Sequence, residues 1–548
     1  MRTRKDGFAC FEFCALSPVK PFLREGKTSA DGVAKMDGSM PKEYVERILK
    51  SRVYEVARET PLDPLPILSA RLGNDVLLKR EDLQPVFSFK LRGAHNKIAN
   101  LSPAARKRGV ICASAGNHAQ GVALSASRLG LRAVIVMPET TPPIKINAVR
   151  RMGGEIVLHG TSVDDARLHA EAMAASNGMT FVHPYDDPEV IAGQGTIAME
   201  ILRQHSEEIE AIVVPVGGGG LIAGIAAYVK SLWPQIKIIG VESTESACME
   251  RALATGRRVR LSSVGLFADG VAVGQVGKEP FRIARKCVDE MILVTTDEIC
   301  AAIKDIYDDT RSIAEPAGAL GVAGLKAYAA RTRIKGKTLV AIDSGANVNF
   351  DRLRHVAERA EIGERREALL AVTIPERVGS FRQFCRVIGA RSVTEFNYRY
   401  SENDAAHIFV GIELRRGEKD KNDLIRVLKK HKYPVIDMTD NELAKLHIRY
   451  MVGGRTQKLK DEKLYRFEFP ERPGALLNFL NNMGESWNIS LFHYRNHGSA
   501  FGRVLVGMQV PRPEETKFRS FLRTIGYPST EETGNPAYDL FLKPTILS

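Results

Sequence analysis

The segment Ile374-Pro-Glu-Arg-Val-Gly-Ser-Phe381 returns 95 residues later as Phe469-Pro-Glu-Arg-Pro-Gly-Ala-Leu476. Further on, Phe396-Asn-Tyr-Arg399 returns as Phe492-His-Tyr-Arg495, and Phe409-Val-Gly-Ile412 as Leu505-Val-Gly-Met508, now at an offset of 96. One inserted residue accounts for the slip. A period this long marks a duplicated domain, since solenoid repeats run to roughly 20–50 residues. Each copy reads strand, turn, helix, strand, strand, helix, strand. In the second copy these fall near Leu464–Phe469, Gly474–Asn482, Asn488–Tyr494, Arg503–Gln509, Glu514–Thr524 and a final short strand. That order is a split βαβ sandwich with one helical face. The back of the chain is therefore two α+β domains, expected over residues 367–442 and 463–545.

The front is built differently. A chain of 548 residues exceeds one hydrophobic core. Over residues 40–350, β-rich apolar runs alternate with helical patterns. The candidate strands are Val76–Lys79, Gly109–Ala113, Arg132–Met137, Glu155–His159, Ala211–Pro215, Lys237–Glu242 and Leu339–Ile342. Buried runs separated by helices predict an α/β domain with a parallel sheet covered on both faces. Ligands bind such sheets beyond the carboxyl ends of the strands. Residues 351–366 are charged and helical in pattern, and read as a connector.

Five segments carry candidate chemistry. In Phe87-Ser-Phe-Lys-Leu-Arg-Gly-Ala94, Lys90 sits between Phe89 and Leu91. Apolar neighbours disfavour an ammonium and make a lysine reactive. Taken alone, Lys90 reads as a solvated lysine opening a helix. Ser114-Ala-Gly-Asn-His-Ala-Gln-Gly121 follows a strand and opens a helix, where free N–H groups bind carboxylate or phosphate. An N-cap by Ser114 or Asn117 is an equal reading. Val216-Gly-Gly-Gly-Gly-Leu221 places four glycines after a strand, at a high cost in chain entropy. A bare nest of amides for phosphate explains them better than a hinge. Asp343-Ser-Gly-Ala-Asn347 offers Ser344 at a strand end, or a plain turn. Glu315-Pro-Ala-Gly-Ala319 reads as a helix start with an acid near its positive end.

In this order and spacing, the five motifs resemble those of the fold-type II pyridoxal-phosphate enzymes, whose catalytic domain is tryptophan synthase β-like. With the tandem repeat, the chain is similar to the biosynthetic threonine deaminases (threonine ammonia-lyases), which carry two ACT-like regulatory domains. The likeness runs from about Pro41 to the C-terminus. It implies that Lys90 holds pyridoxal 5′-phosphate and later moves protons, and that Phe89 packs on the cofactor ring. Gly217, Gly218, Gly219, Gly220 and Leu221 would bind its phosphate, Asn117 its ring hydroxyl and Ser344 its ring nitrogen. Ser114, Ala115, Gly116 and Asn117 would hold the substrate carboxylate. The implied reaction converts L-threonine, with L-serine as a second substrate, to a 2-oxoacid (2-oxobutanoate from threonine) and ammonia. This is the first committed step of isoleucine biosynthesis. Isoleucine is the expected inhibitor and valine its antagonist. Tyr398 and Tyr494, at equivalent repeat positions, are the candidate effector residues, with packing on a sheet face as the alternative. A homotetramer is also implied.

Two departures refine this reading. Relatives that racemise serine carry a second Ser in the asparagine loop, where this chain has Ala115, which cannot move a proton. Some relatives bind metal through an acid six positions beyond the Glu of a Gly-Val-Glu segment, and here that position is Cys248. His118, His159, His169 and His183 form no ligand spacing either, so no metal site is expected. The rivals are another fold-type II enzyme, such as serine dehydratase or threonine synthase, and a catalytically inactive amino-acid sensor.

Charge and cysteines narrow the setting. The net charge of +13 is scattered and lacks any nucleic-acid motif, so no nucleic-acid partner is expected. Seven cysteines without a C-x-x-C pair fit a reducing compartment. No apolar run is long enough to span a bilayer, and a cytoplasmic enzyme is expected. Residues 1–39 contain Asp6, Glu12, Glu25, Asp31 and Asp37, which suit neither a secretory signal nor a transit peptide. They read as a disordered extension; a start at Met40 is the alternative, and organelle import through this segment stays open.

Overall fold

The structure is a computed structural model that describes residues 39–265, 267–350, 352–399, 405–446, 448–450, 459–470, 475–483, 486–495, 501–536, 538 and 542. Most of the expected N-terminal extension, and Gly474 at the expected helix start, lie outside the described residues.

Ten strands lie between residues 62 and 343. They are β1 (Leu62–Pro64), β2 (Asp75–Arg80), β3 (Val110–Ala113), β4 (Ala133–Met137), β5 (Glu155–Leu158), β6 (Thr180–Phe181), β7 (Ile209–Pro215), β8 (Lys237–Ser243), β9 (Glu290–Val294) and β10 (Thr338–Asp343). They form two sheets where the sequence suggested one. The larger has the order β1-β2-β10-β7-β8-β9 and is parallel except for β1; the smaller, β5-β4-β3-β6, is wholly parallel. Strands β3, β4 and β10 have every residue buried. Strands buried on both faces show no alternation, so their pattern announces a strand without naming its neighbour.

Helices cover both sheets. The helix Gly220–Leu232 is buried from Gly220 through Val229 and lies in the interior. The helices Lys90–Ala99 and Pro188–Gln204 touch backbone to backbone, because a Cβ on Gly193 would lie 2.7 Å from Gly93 Cα. Asp187 caps the second of these by accepting from the N–H of Glu189 and Val190, with Pro188 in its first turn.

A charged cluster with no solvent exposure anchors the first helix. Arg92 donates to Glu81 at 2.7 Å and to Glu200 at 2.5 Å, and Lys79 meets Glu200 at 2.7 Å. Thr60 and Tyr54 donate their hydroxyls to Glu81 and Glu200. Burial opposes the Arg92 charge, but Glu81 and then Glu200 outweigh it and hold the guanidinium charged.

The helix Arg352–Gly363 leads out of this region and packs on the helix Thr296–Thr310. Its Arg359 pairs with Asp297 and, at 2.8 Å, with Glu442, while Lys445 meets Asp297 at 2.8 Å. Among the described residues, eight strands follow: β11 (Glu367–Pro375), β12 (Val393–Arg399), β13 (Ala405–Glu413), β14 (Val435–Asp437), β15 (Glu462–Pro470), β16 (Asn488–Arg495), β17 (Phe501–Gln509) and β18 (Ser529–Glu531). Each copy is a four-stranded βαββαβ unit. The two units fuse edge to edge into one antiparallel sheet, β14-β11-β13-β12-β16-β17-β15-β18.

At the β12–β16 seam, Phe396 faces Tyr494 and Tyr398 faces Phe492. Equivalent positions are thus exchanged, which is the register of a local twofold axis between the copies. One apolar core runs beneath both, with Phe381, Phe396, Phe469 and Phe492 among its members. Among the described residues, no helix is long and apolar enough to cross a membrane.

Candidate active site

Three expected motifs follow the carboxyl ends of β3, β7 and β10, and Lys90 lies just beyond β2. The loop after β6 joins two of them. Its Pro184 carbonyl accepts from Lys90 Nζ at 3.2 Å. Its Tyr185 ring lies against the glycine loop, where a Cβ on Gly218 would stand 2.2 Å from the ring. Lys90 and the glycines are thus brought to one place by residues that the sequence did not flag.

The amine is prepared for reaction. Lys90 keeps some contact with solvent, but protein surrounds its Nζ, which lies 5.1 Å from the centre of the Phe89 ring. Burial pushes its pKa down to about 8, against the opposing pull of Glu315. Lysine normally titrates near 10.4, so a sizeable neutral fraction is available near neutral pH.

The glycine loop fits an anion. Among the described residues, none accepts from the amides of Gly217, Gly218 or Gly219. Gly219 adopts φ +92°, which side chains rarely tolerate, and Gly220 opens the buried helix that ends at Leu232. Leu221 follows in its first turn. A concave run of free amides at a helix N-terminus is suited to a phosphate. Gly218→Ala is expected to destabilise the protein by about 1–3 kcal/mol, because the Tyr185 ring is held by its hydroxyl on Gln275 and cannot swing away. A melting temperature unchanged from the parent would refute this.

The asparagine loop faces Ser344 and its neighbours. The Phe89 N–H donates to the Ser344 carbonyl at 3.3 Å, and the Ala346 N–H to the Phe87 carbonyl at 2.9 Å. Ser344 Oγ is buried and donates to the Ala317 carbonyl at 3.3 Å. Gly116, not Ser114 or Asn117, holds the N-cap position of the helix Asn117–Arg128, and no side chain caps that helix. Ser114 Oγ accepts from Gly116 N–H, and Ala115 is half-buried beside it. Asn117 donates to Glu315 at 2.6 Å and accepts from Asn347 at 2.7 Å. Burial, then Asp269, lifts the Glu315 carboxyl to about 7. In the sequence Glu315 reads as a plain helix start, and Asn347, although it ends a candidate segment, receives no role there. No local pattern separates such an acid from an ordinary residue at a helix start.

Two other groups have structural settings. His118 Nε2 lies 2.8 Å from the Val182 carbonyl, and burial and then Lys90 push the ring down to about 3, so it is neutral. Glu242 accepts from the N–H groups of Cys248, Met249 and Glu250, spending its carboxylate on the helix Cys248–Thr255.

The tyrosines of the duplicated half diverge. Tyr398 is buried, donates to Glu376 at 2.6 Å and lines a cleft between the copies with Ile374, Arg377, Trp487 and Ile489. Tyr494 is buried in the same sheet but does not line that cleft.

Two family models match the chain. One is the pyridoxal-phosphate dependent enzyme, over residues 53–345. The other is the C-terminal regulatory domain of threonine dehydratase, over residues 358–448 and again over 453–542. The L-threonine dehydratase biosynthetic IlvA of Burkholderia multivorans is 58% identical over 503 residues, covering 91% of this chain and 99% of that protein. The mitochondrial threonine dehydratase of Saccharomyces cerevisiae is 50% identical over 515 residues, covering 91% and 89%. Among solved structures, the processed form of threonine deaminase isoform 2 from Solanum lycopersicum is 51% identical, with a TM-score of 0.59, covering 60% of this chain and 90% of that one.

Proposed function

Because the chain belongs to the pyridoxal-phosphate-dependent biosynthetic threonine dehydratases, we propose that Lys90 is the residue that holds its cofactor and moves the substrate proton. The enzyme is a threonine ammonia-lyase of isoleucine biosynthesis, releasing 2-oxobutanoate and ammonia. The observation that carries the assignment is the buried Lys90 amine, joined through Pro184 and Tyr185 to a run of unclaimed glycine amides.

Pyridoxal phosphate, when bound, supplies the electron sink that makes a substrate Cα–H acidic. The protein does the rest. The amides of Gly217 to Leu221 grip the phosphate, and Phe89 packs on the ring. Asn117 and Ser344 meet the ring hydroxyl and ring nitrogen. The N-terminus of the helix Asn117–Arg128, with Ser114, Ala115 and Gly116, takes the substrate carboxylate. Lys90 Nζ, in its neutral form, takes the Cα proton. Ala115, at the position where racemising relatives carry a second Ser, cannot move a proton, which favours loss of the hydroxyl over racemisation. Borohydride treatment of the loaded enzyme should modify Lys90 and no other lysine; an unmodified Lys90 at saturating cofactor would overturn the assignment.

The reading divides the chain into catalytic residues 40–350, a connector over 351–366 and two ACT-like regulatory domains over 367–442 and 463–545. The regulatory domains bind amino-acid effectors, with isoleucine inhibiting and valine opposing it. The cleft beside Tyr398 supports this, since Glu376 and Arg377 can meet the two ends of an amino acid while Ile374 and Ile489 meet its side chain. We expect threonine-dependent 2-oxoacid release to fall when isoleucine is added. Tyr398→Phe, which removes one hydrogen bond from the cleft, should raise the half-inhibiting isoleucine concentration about tenfold. An unchanged inhibition curve would refute the site. Family resemblance also implies a homotetramer, and the cysteine pattern supports a cytoplasmic location, with organelle import through residues 1–39 as the alternative.

A further inference from the structure

The Glu315 carboxylate does not serve the helix it begins. Glu315 stands at the N-cap of the helix Pro316–Thr332, yet its side chain accepts no hydrogen bond from that helix. It reaches instead to Asn117, 198 residues away in the sequence, and accepts from Nδ2 at 2.6 Å. Asn117 Oδ1 accepts from Asn347 Nδ2 at 2.7 Å, and the Asn347 backbone N–H donates back to Glu315. The three residues close a ring, through the side chains of Glu315 and Asn117 and through both the side chain and the backbone N–H of Asn347.

That ring has a definite polarity. An amide whose nitrogen faces a carboxylate and whose oxygen faces an N–H cannot flip without setting like against like. After these two bonds, Asn117 retains one N–H and one lone pair for a ligand. Lys90, Lys145, Asp269 and Asp343 are the titratable groups around the Glu315 carboxylate, the Asp343 carboxyl itself being pushed well up by burial. The site thus fixes one side chain by means of another that is buried.

On the reading above that Asn117 meets the cofactor ring, we propose that Glu315 is a positioning residue that holds the Asn117 amide in the orientation offering its N–H to the ring oxygen. The hydrogen bond, more than the charge, is what cofactor binding requires.

The test strips the full-length chain of cofactor and titrates pyridoxal 5′-phosphate back, following visible absorbance across pH. Glu315→Ala should weaken binding about tenfold and displace the pH midpoint of the cofactor absorbance. Glu315→Gln can still accept from Asn117 and should bind to within about twofold of the parent. Asn117→Ala should weaken binding at least as much as Glu315→Ala. The double variant should be no worse than Asn117→Ala alone, because both act through one amide. Additive losses, a Glu315→Ala variant that binds like the parent, or a Glu315→Gln variant as weak as alanine would each overturn the proposal while leaving Asn117 its role. An Asn117→Ala variant that binds like the parent would overturn the underlying reading and the proposal together. A merely structural Glu315 would lower melting temperatures without moving the absorbance midpoint.

Discussion

Lys90→Ala is expected to lower the rate of 2-oxobutanoate release from threonine by on the order of 10⁴-fold, the upper range for removing a proton-transfer group. The loss should exceed that from any other single change in the site, because on the proposed assignment the same nitrogen would both hold the cofactor and move the proton. Lys90→Arg should be nearly as damaging. It keeps a positive charge and similar length, but a guanidinium stays protonated at every working pH and cannot take a proton. In the parent, the neutral fraction of the free amine grows as pH rises through about 8, so steps that need it should accelerate over that interval. Initial rates with purified variants decide the matter. A Lys90→Ala enzyme retaining a few per cent of parental turnover would end the assignment.

Arg92→Met is expected to destabilise the folded chain by about 3–5 kcal/mol, the cost of stranding buried charge. Glu81 and Glu200 have no solvent contact and both lean on this guanidinium. Lys79 would remain for Glu200, but Glu81 would keep only hydroxyl and amide donors. Adding Glu81→Gln to Arg92→Met should recover much of the loss, since the remaining buried charges, Lys79 and Glu200, then pair with each other. Calorimetry on the parent, the single variant and the double variant measures both effects. A shift corresponding to under about 1 kcal/mol for Arg92→Met would show that the network relaxes around the missing charge. The site would feel such a change, since Arg92 lies half a turn from Lys90 on the same helix.

What could be read in advance depended on whether the signal was local. Four glycines after a strand are a local expense that demands a local reason, so the run of free amides was legible as a candidate anion site. The repeat was legible because similarity needs no geometry. The split into two sheets was not, because β3, β4 and β10 are buried on both faces and carry no mark of their partners. The two-residue β6 is too short for any periodicity to register. Glu315 shows the limit most clearly. A glutamate before a proline at a helix start has an ordinary local explanation, and only the folded chain brings it to Asn117. Tyr185 was likewise invisible, since its part is to lie across glycines that are distant in sequence.

Joining the two copies through β12 and β16 has a consequence for how the protein behaves in a crowded solution. A separate four-stranded unit would leave β12 or β16 with a bare row of backbone donors and acceptors, ready to recruit another chain. The union hides both. What remains at the rims are β14 and β18, three residues each, with Val435, the exposed Ile436 and Asp437 on one and Ser529, Thr530 and Glu531 on the other. Rims only three residues long, each carrying an acid, offer little purchase for stacking, so duplication here also guards against fibre growth.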